Sequence, residues 1–416
     1  MASCIAMPAE KIDTLVIGGG QAGLAMSYRL KQRGLSHLVL ERGRIAERWR
    51  SERWDGLKFQ FPNWSVRLPD FPFRQADPDG FATSVEIVDF VCAYAAFVAP
   101  PIRLGVEVRR LRRGDGAFVA ETSDGAIAAR NVVVATGPYQ RPVIPPLLDD
   151  GQAIHRGIFQ VHASRYKNPS QLPPGAVLVV GAGASGAQIA EELHRAGRRV
   201  YLSLGQHGRL PRRYRGRDLV WWFGELGLFQ LLPEQRGPIR VHPVITGAYG
   251  GHTIDFRRFA ADGITLLGQV TAAVDGAIDL APGLAADLAG GDGVYTAFLD
   301  MADAHFESHD LKMPQDPGAR AMLPDPACVS APLRRLHLGE SGIHSVIWAT
   351  GYGVDFGWID IPVLNARGEP VHNRGITEVP GLYFLGLAWL FNLNSSFLSG
   401  VGDDAAVLAD HIAARG

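Results

Sequence analysis

Two six-residue turns of the same type carry most of the chemistry this sequence could perform. Gly18-x-Gly20-x-x-Gly23 follows the apolar run Leu15–Ile17, and Gly181-x-Gly183-x-x-Gly186 follows Ala176–Val180. In each turn the first glycine permits a tight bend and the second lets a pyrophosphate approach the backbone. The third lets the next helix pack on the strand. The amide-rich start of that helix then meets the negative charge. Gln21 and Ala22 complete the first turn; Ala184 and Ser185 complete the second, where the Ser185 hydroxyl falls near the phosphates. One chain with two such turns is equipped for two dinucleotides.

The residues that follow each turn distinguish the two sites. Glu41, next to Arg42, ends the second strand of the first unit. A carboxylate there accepts hydrogen bonds from ribose hydroxyls and repels a 2′-phosphate, which fits FAD or NAD. The second unit carries Ser203 where that acid is expected, followed by Arg209, Arg212 and Arg213. Without the acid the repulsion is gone, and a guanidinium can pair with the 2′-phosphate. NADPH is therefore expected over NADH, with Arg209 as its reader. The remaining arginines of "RRYRGR" suit a solvated basic face equally well. Facing dinucleotides would let two electrons pass from nicotinamide to flavin within one chain.

The elements that must position these turns follow from the pattern around them. "TLVIGGGQAGLAMSYRLKQRGLSHLVLER" has the strand, turn, helix, strand order of a βαβ unit, and "AVLVVGAGASGAQIAEELHRAGRRVYLSL" repeats it. Each copy seeds its own parallel sheet. Two further strands end in the same tripeptide, Ala135-Thr136-Gly137 and Ala349-Thr350-Gly351, and bracket the second copy. This order predicts an α/β fold of two Rossmann-like dinucleotide-binding domains, the second inserted into the first. The expected FAD-binding domain covers residues 1–150 and 330–416, and the expected NADPH-binding domain covers 151–329. The Ala/Gly-rich stretch 280–293 is expected to be a loop beside a helix.

Bulk properties exclude several classes. The 416 residues exceed what one core sustains, and 47% hydrophobic with 20% charged residues is ordinary for a globular chain. With 41 basic and 42 acidic residues, no global field draws the protein to nucleic acid or anionic lipid. Cys4, Cys92 and Cys328 lie far apart, with no C-x-x-C or metal-ligand spacing. A reducing, cytoplasmic setting without a metal is expected, and a homodimer is compatible with it. The opening residues lack the basic start and apolar run of a signal peptide. The greasy run Leu382–Leu393 is shorter than the roughly 20 residues a bilayer span needs, so it is expected to be core.

Electrons on a flavin have three destinations: a redox disulfide, which the cysteine spacing disfavours, an external acceptor, or molecular oxygen. Here the sequence resembles a family. The paired glycine turns, the two Ala-Thr-Gly strand ends and "FQVHASRYKNPSQLPPG" are similar to class B flavin-dependent monooxygenases, the group of the flavin-containing and plant indole-pyruvate monooxygenases. The resemblance covers nearly the whole chain and is loosest from about 215 to 330. His162, Ser164, Tyr166 and Lys167 match the later half of the family's linker motif. The earlier half departs, with His155 where Phe is expected and Gly157 five residues before His162 instead of four.

The resemblance implies FAD, NADPH, molecular oxygen and a small organic substrate, with a C4a-(hydro)peroxyflavin delivering one oxygen atom. Tyr166 stands where ketone-inserting members carry Trp, which tilts the expected reaction towards N- or S-oxygenation. By the same match Trp49 lies along the FAD, the backbone of Val108 meets adenine, and Asn63 reaches the flavin C4a region. A carboxamide there donates to the peroxide without offering an acidic proton; alternatively Asn63 caps the turn before Trp64. Asn394, Ser395 and Ser396 either line the isoalloxazine or form a surface turn. Trp221, Trp222, Phe223 and Trp389 line a pocket or fill a core. His162 is a linker residue tied to domain movement, not a base. Two other readings stay open: an NADPH-dependent flavin reductase serving an external acceptor, and a non-catalytic flavin-binding redox sensor.

Overall fold

The unbroken apolar run Leu15–Ile17 belongs at the centre of a sheet covered on both faces, and that is where it lies. A computed structural model describes residues 10–145, 157–236 and 243–415; Cys4 and His155 fall outside them. Glu10–Ile17 forms β1, Gln21–Gln32 forms α1 and His37–Glu41 forms β2. β1 and β2 run parallel with Thr14 opposite His37 and Ile17 opposite Leu40. Ser84–Val98 is α2, which opens on a capping box in which Thr83 and Glu86 satisfy each other's backbone N–H groups. Ile102–Leu104 (β3), Val108–Arg113 (β4), Phe118–Thr122 (β5) and Gly125–Val134 (β6) follow.

The chain then builds a second sheet. Phe159–His162 (β7), Ala176–Val180 (β8), Val200–Ser203 (β9), Thr265–Leu267 (β10) and Ile343–Trp348 (β11) are all parallel, in the order β7-β11-β8-β9-β10. Ala184–Arg195 (α3), Phe256–Ala261 (α4) and Leu284–Ser308 (α5) belong to this part of the chain. On its return the chain adds Ile359–Asp360 (β12) beside β4 and Leu382–Phe384 (β13) beside β6, then ends in α6, Val401–Ala414. The first sheet thus has eight strands, in the order β12-β4-β5-β6-β1-β2-β3 with β13 on β6. The second unit is inserted into the first, as the sequence order predicts. Its exit and re-entry segments, Arg141–Pro142 and Tyr352–Gly353, pair antiparallel with each other.

Two expectations need correction. The inserted unit does not end at residue 329, because β11 pairs with both β8 and β7 in the second sheet. Beside β1, the strand that carries a glycine turn has β6 as its neighbour on the side away from β2; β8 needs the equivalent partner, and β11 is that partner. The repeated Ala-Thr-Gly therefore marks the same place in two units, and Thr350 and Gly351 leave the second sheet, not the first. The stretch 280–293 is also no simple loop, since Leu284 onwards is helical. α5 buries Leu284, Leu288, Gly291, Tyr295, Phe298, Leu299 and Ala302, a helical stripe. Its Gly291 admits His207, whose Nε2 would stand 2.6 Å from an added Cβ.

Leu382–Leu385 are fully buried core, and no helix among the described residues is long and apolar enough to cross a membrane. The two units share side chains. Trp54 and Leu57, from the first unit's stretch of chain, pack into the core built on β8, β9 and α3, and Trp49 packs against both cores.

Candidate cofactor and active site

The two glycine turns have matching geometry. Gly18 sits at φ +111° with an added Cβ 2.5 Å from Ala135 O, and Gly181 at φ +99° with one 2.6 Å from Ala349 O. At Gly23 and Gly186 an added Cβ would run into the carbonyl of Gly18 and of Gly181. At Gly20 and Gly183 it would meet nothing within 4 Å, so the middle glycine of each turn borders open space. α1 and α3 start at these glycines with no side-chain cap and no acid in the first turn. Their leading N–H groups are left for an anion, and a pyrophosphate fits both cradles. Gln21 Nε2 donates to Ser396 O at 2.8 Å, while Ala22 is buried and Ala184 and Ser185 are half-buried.

Glu41 is held as a ribose acceptor should be. Its Oε2 accepts from Gly19 N–H at 2.8 Å and its Oε1 from Gly43 N–H at 2.8 Å, so the carboxylate is fixed at the strand end with lone pairs to spare. Arg42 beside it is exposed. Val106 N–H donates to Glu41 O at 3.0 Å, which brings the start of β4, and Val108, to this end of the site. On the other side Ala135 is buried, and Gln140 Nε2 donates to Thr136 Oγ1 at 3.0 Å and to Gly137 O at 2.7 Å.

The second unit departs from expectation at two residues. Gly18 N–H donates to Leu40 O at 2.8 Å, and Gly181 N–H donates to Ser203 O at 3.1 Å. Register therefore makes Leu204, fully buried, the counterpart of Glu41. Ser203 lies one residue too early, and its hydroxyl donates to Gly268 O at 3.0 Å inside the fold. Arg209 is not a phosphate reader held ready. Its side chain is 8% exposed, with Nη2 2.7 Å from Asp255 and Nη1 2.7 Å from Asp292. Its guanidinium also lies 4.3 Å from the Tyr295 ring centroid. Nearby carboxylates and an aromatic face occupy what a phosphate would need.

The two Ala-Thr-Gly ends meet at the linker. Tyr139, two residues past Gly137, stacks edge-on with Tyr352, the residue after Gly351, at 5.3 Å between centroids. His162 packs on the same Tyr352 ring at 5.2 Å. Its Nδ1 accepts from Ser164 N–H at 3.1 Å, so Nε2–H donates to Gly351 O at 3.1 Å. Burial pushes this imidazole below its usual range. Tyr166 is fully buried and donates to Glu192 at 2.8 Å. Lys167 Nζ donates to Ser51 O and Arg53 O, fastening the linker to the first unit's loop.

Asn63 lies in a one-turn 3-10 segment and is 6% exposed. Its Nδ2 donates to Asp77 O at 2.9 Å, its own N–H donates to Gly80 O, and Oδ1 has no partner. One amide proton and one buried acceptor remain unused. Ser395 is committed to its own turn, its hydroxyl accepting from the N–H groups of Phe391 and Asn392 at 3.0 Å each. Asn394 folds back on that turn, accepting from Ser399 at 2.9 Å. Trp222 is fully buried core, whereas Trp221 and Phe223 are half-buried.

An aromatic wall beside Asn63 was not read from the sequence. Trp49 meets Phe59, Phe59 meets Phe61, and Phe61 meets Phe397 and Phe229, at centroid separations of 5.8, 5.7, 5.0 and 6.5 Å. These half-buried rings come from three distant stretches of chain, so no local pattern marks them. "FQF" at 59–61 is the one local hint, an alternating aromatic pair in a segment with no core period.

Comparison with known proteins agrees with this architecture. The profile of the pyridine nucleotide-disulphide oxidoreductase family matches residues 15–215. An uncharacterized CzcO-like oxidoreductase of Geobacillus kaustophilus is 37% identical over 413 residues, 96% of this chain and 98% of the relative. A probable indole-3-pyruvate monooxygenase of Arabidopsis thaliana is 32% identical over 184 residues, 44% of each chain. The solved flavin-containing monooxygenase from Stenotrophomonas maltophilia shares the fold, with a TM-score of 0.68 at 18% identity over 98% of this chain and 99% of that one.

Proposed function

The chain belongs to the class B flavin-dependent monooxygenase family, alongside the CzcO-like oxidoreductases, whose cofactors are FAD and NADPH, and from that premise we propose that it oxygenates nitrogen or sulfur in a small organic substrate. A reduced nicotinamide supplies two electrons; one atom of O2 enters the substrate and the other leaves as water. The bound flavin supplies the oxygen chemistry. The protein's residues bind, orient and shield.

In this reading the Gly18 turn and Glu41 hold FAD by its pyrophosphate and adenosine ribose, and the Gly181 turn holds the nicotinamide dinucleotide. The Tyr139–Tyr352 contact carries the proposal: the strand ends flanking the two turns converge there, which supports two dinucleotide sites that would serve one reaction. Phe59, Phe61, Phe229 and Phe397 form a wall that keeps water from the reacting edge and receives an apolar substrate. Asn63, with its unused amide proton, steadies oxygen there. A dithiol route has no support among the described residues, where Cys92 sits on α2 and Cys328 at a short helix of the inserted unit, both free and unpaired with each other.

The test is turnover under ¹⁸O2 with NADPH and a panel of amines and thioethers. A product gaining one ¹⁸O per nicotinamide oxidised is the expected result. Nicotinamide oxidation that yields only hydrogen peroxide, or that needs an added electron acceptor, favours the flavin reductase and sinks the proposal.

A further inference from the structure

The segment that carries Asn63 and two rings of the aromatic wall is gripped by a side chain of the inserted unit. The Arg212 side chain is 2% exposed, so a solvated basic face does not describe it. Its Nε and Nη2 donate to the two carboxylate oxygens of Asp218, and its Nη1 donates to Gln60 O at 2.7 Å and to Thr246 O at 3.5 Å. Its backbone N–H donates to Thr253 Oγ1 at 2.9 Å, and its guanidinium lies 4.9 Å from the Phe81 ring centroid. Gln60 stands between Phe59 and Phe61, just ahead of Asn63 in the chain.

Residues 59–63 are held by both units. Within the first unit, Phe59 N–H donates to Ala82 O and Asn63 N–H donates to Gly80 O at 2.9 Å. From the inserted unit, Gly247 presses on the same segment: a Cβ added there would stand 2.0 Å from Phe59 O and 2.8 Å from the Phe81 side chain. Gly247 has φ −100°, a value open to any residue, so the close approach of the two backbones is what calls for glycine here. Arg213 fastens the far end of that loop by donating to Gly250 O and Gly251 O. A buried ion pair contributes little more stability than apolar side chains of the same volume. What the Arg212 fork adds is direction, since one nitrogen reaches a carbonyl of each unit while the other two stay on Asp218.

We propose that Arg212 and Gly247 form a clamp by which the inserted unit sets the position of residues 59–63, with Arg212 a positioning residue for Asn63 and for the Phe59 and Phe61 rings. The clamp rests on the contacts alone. What the clamped side chains do for the reaction rests on the reading given under Proposed function.

Two variants of the FAD-loaded protein test it. Arg212→Lys keeps the charge and removes the fork; Gly247→Ala keeps the ion pair and pushes on Phe59 O, and it carries the test if the first variant fails to fold. Amide hydrogen exchange read by mass spectrometry needs no turnover. Exchange across 57–63 is expected to quicken by about tenfold in each variant, with Val132–Val134 of β6 and Leu178–Val180 of β8 unchanged. In turnover with NADPH and the best substrate of the panel above, oxygenated product per nicotinamide oxidised is expected to fall at least about fivefold, with peroxide making up the difference and FAD content unchanged. Exchange at 57–63 that stays at the parent rate, or that quickens equally in every strand, overturns the clamp. Faster exchange confined to 57–63 with an unchanged share of peroxide overturns the positioning role. A parent protein that yields peroxide alone sinks the proposed oxygenation instead, and the exchange result still decides the clamp.

Discussion

Asn63 and Arg209 are both buried polar side chains, and their surroundings give them opposite roles. Asn63 keeps an unpartnered Oδ1 and one unused amide proton, a cost the fold accepts when a ligand is to complete the set. Asn63→Ala is therefore expected to retain FAD while the fraction of nicotinamide oxidation ending as hydrogen peroxide rises; measuring peroxide against oxygenated product decides it. Arg209 has both terminal nitrogens on carboxylates already, with Nε alone unpartnered. Arg209→Ala leaves Asp255 without its cation while Asp292 keeps Arg257, an expected loss of about 3–5 kcal/mol in chemical unfolding and no change in the preference between NADPH and NADH. An altered preference with stability intact would restore Arg209 as the reader. Gly183 tests the cradle directly: a Cβ there meets no protein atom, so Gly183→Val should shift stability by less than about 1 kcal/mol yet abolish nicotinamide binding with FAD still bound. Glu41 was legible at this scale because its spacing from Gly23 is fixed by one helix and one turn. The same spacing from Gly186 reaches Leu204, one residue beyond Ser203, and the hydrogen-bond register agrees.

Among the elements, the linker shows how one histidine ties two units together. His162 accepts at Nδ1 from Ser164 N–H and donates at Nε2 to Gly351 O, so a second proton would set two donors against each other at Nδ1. Burial holds the imidazole below its usual range, with Glu52 and the Gly351 carbonyl pulling weakly the other way. For a base whose folded value is depressed, the unfolded chain takes up the proton first. Its contribution to stability is complete above about pH 6.5 and is lost as the pH falls below that. Thermal melts from pH 7.5 to 5.5 should show a shallower acid-side decline in His162→Asn than in the parent chain, because other buried histidines remain. Equal slopes would remove His162 from the pH response. The helices were less legible than the strands. α5 opens on an Ala/Gly-rich stretch whose composition reads as loop, and its helical stripe emerges only against the tertiary partners that fill it, His207 among them. Strand β11 was visible as a strand, but not its sheet, since pairing between residues 176 and 343 is a long-range choice that no local propensity encodes.

At the scale of the whole molecule, the two units are joined by more than a connection. Trp54 belongs to the first unit's chain and is 4% exposed in the second unit's core. Trp54→Ala should cost about 3–5 kcal/mol and split one unfolding transition into two, read by urea titration with flavin fluorescence reporting the first unit and far-ultraviolet dichroism both. A single transition of unchanged midpoint would show that the units are coupled elsewhere. The α/β class, the two dinucleotide units and the insertion were readable because each turn, strand and helix is specified within some thirty residues. The aromatic wall was not, being assembled from residues near 60, 229 and 397 that meet only in the finished fold. One last consequence comes from the pairing of Arg141–Pro142 with Tyr352–Gly353. Because the insertion departs and comes back at neighbouring points, excising it and splicing Gln140 to Val354 through a short flexible bridge spans almost no distance. Such a minimal protein should still purify yellow, a stand-alone flavin holder cut off from its source of electrons.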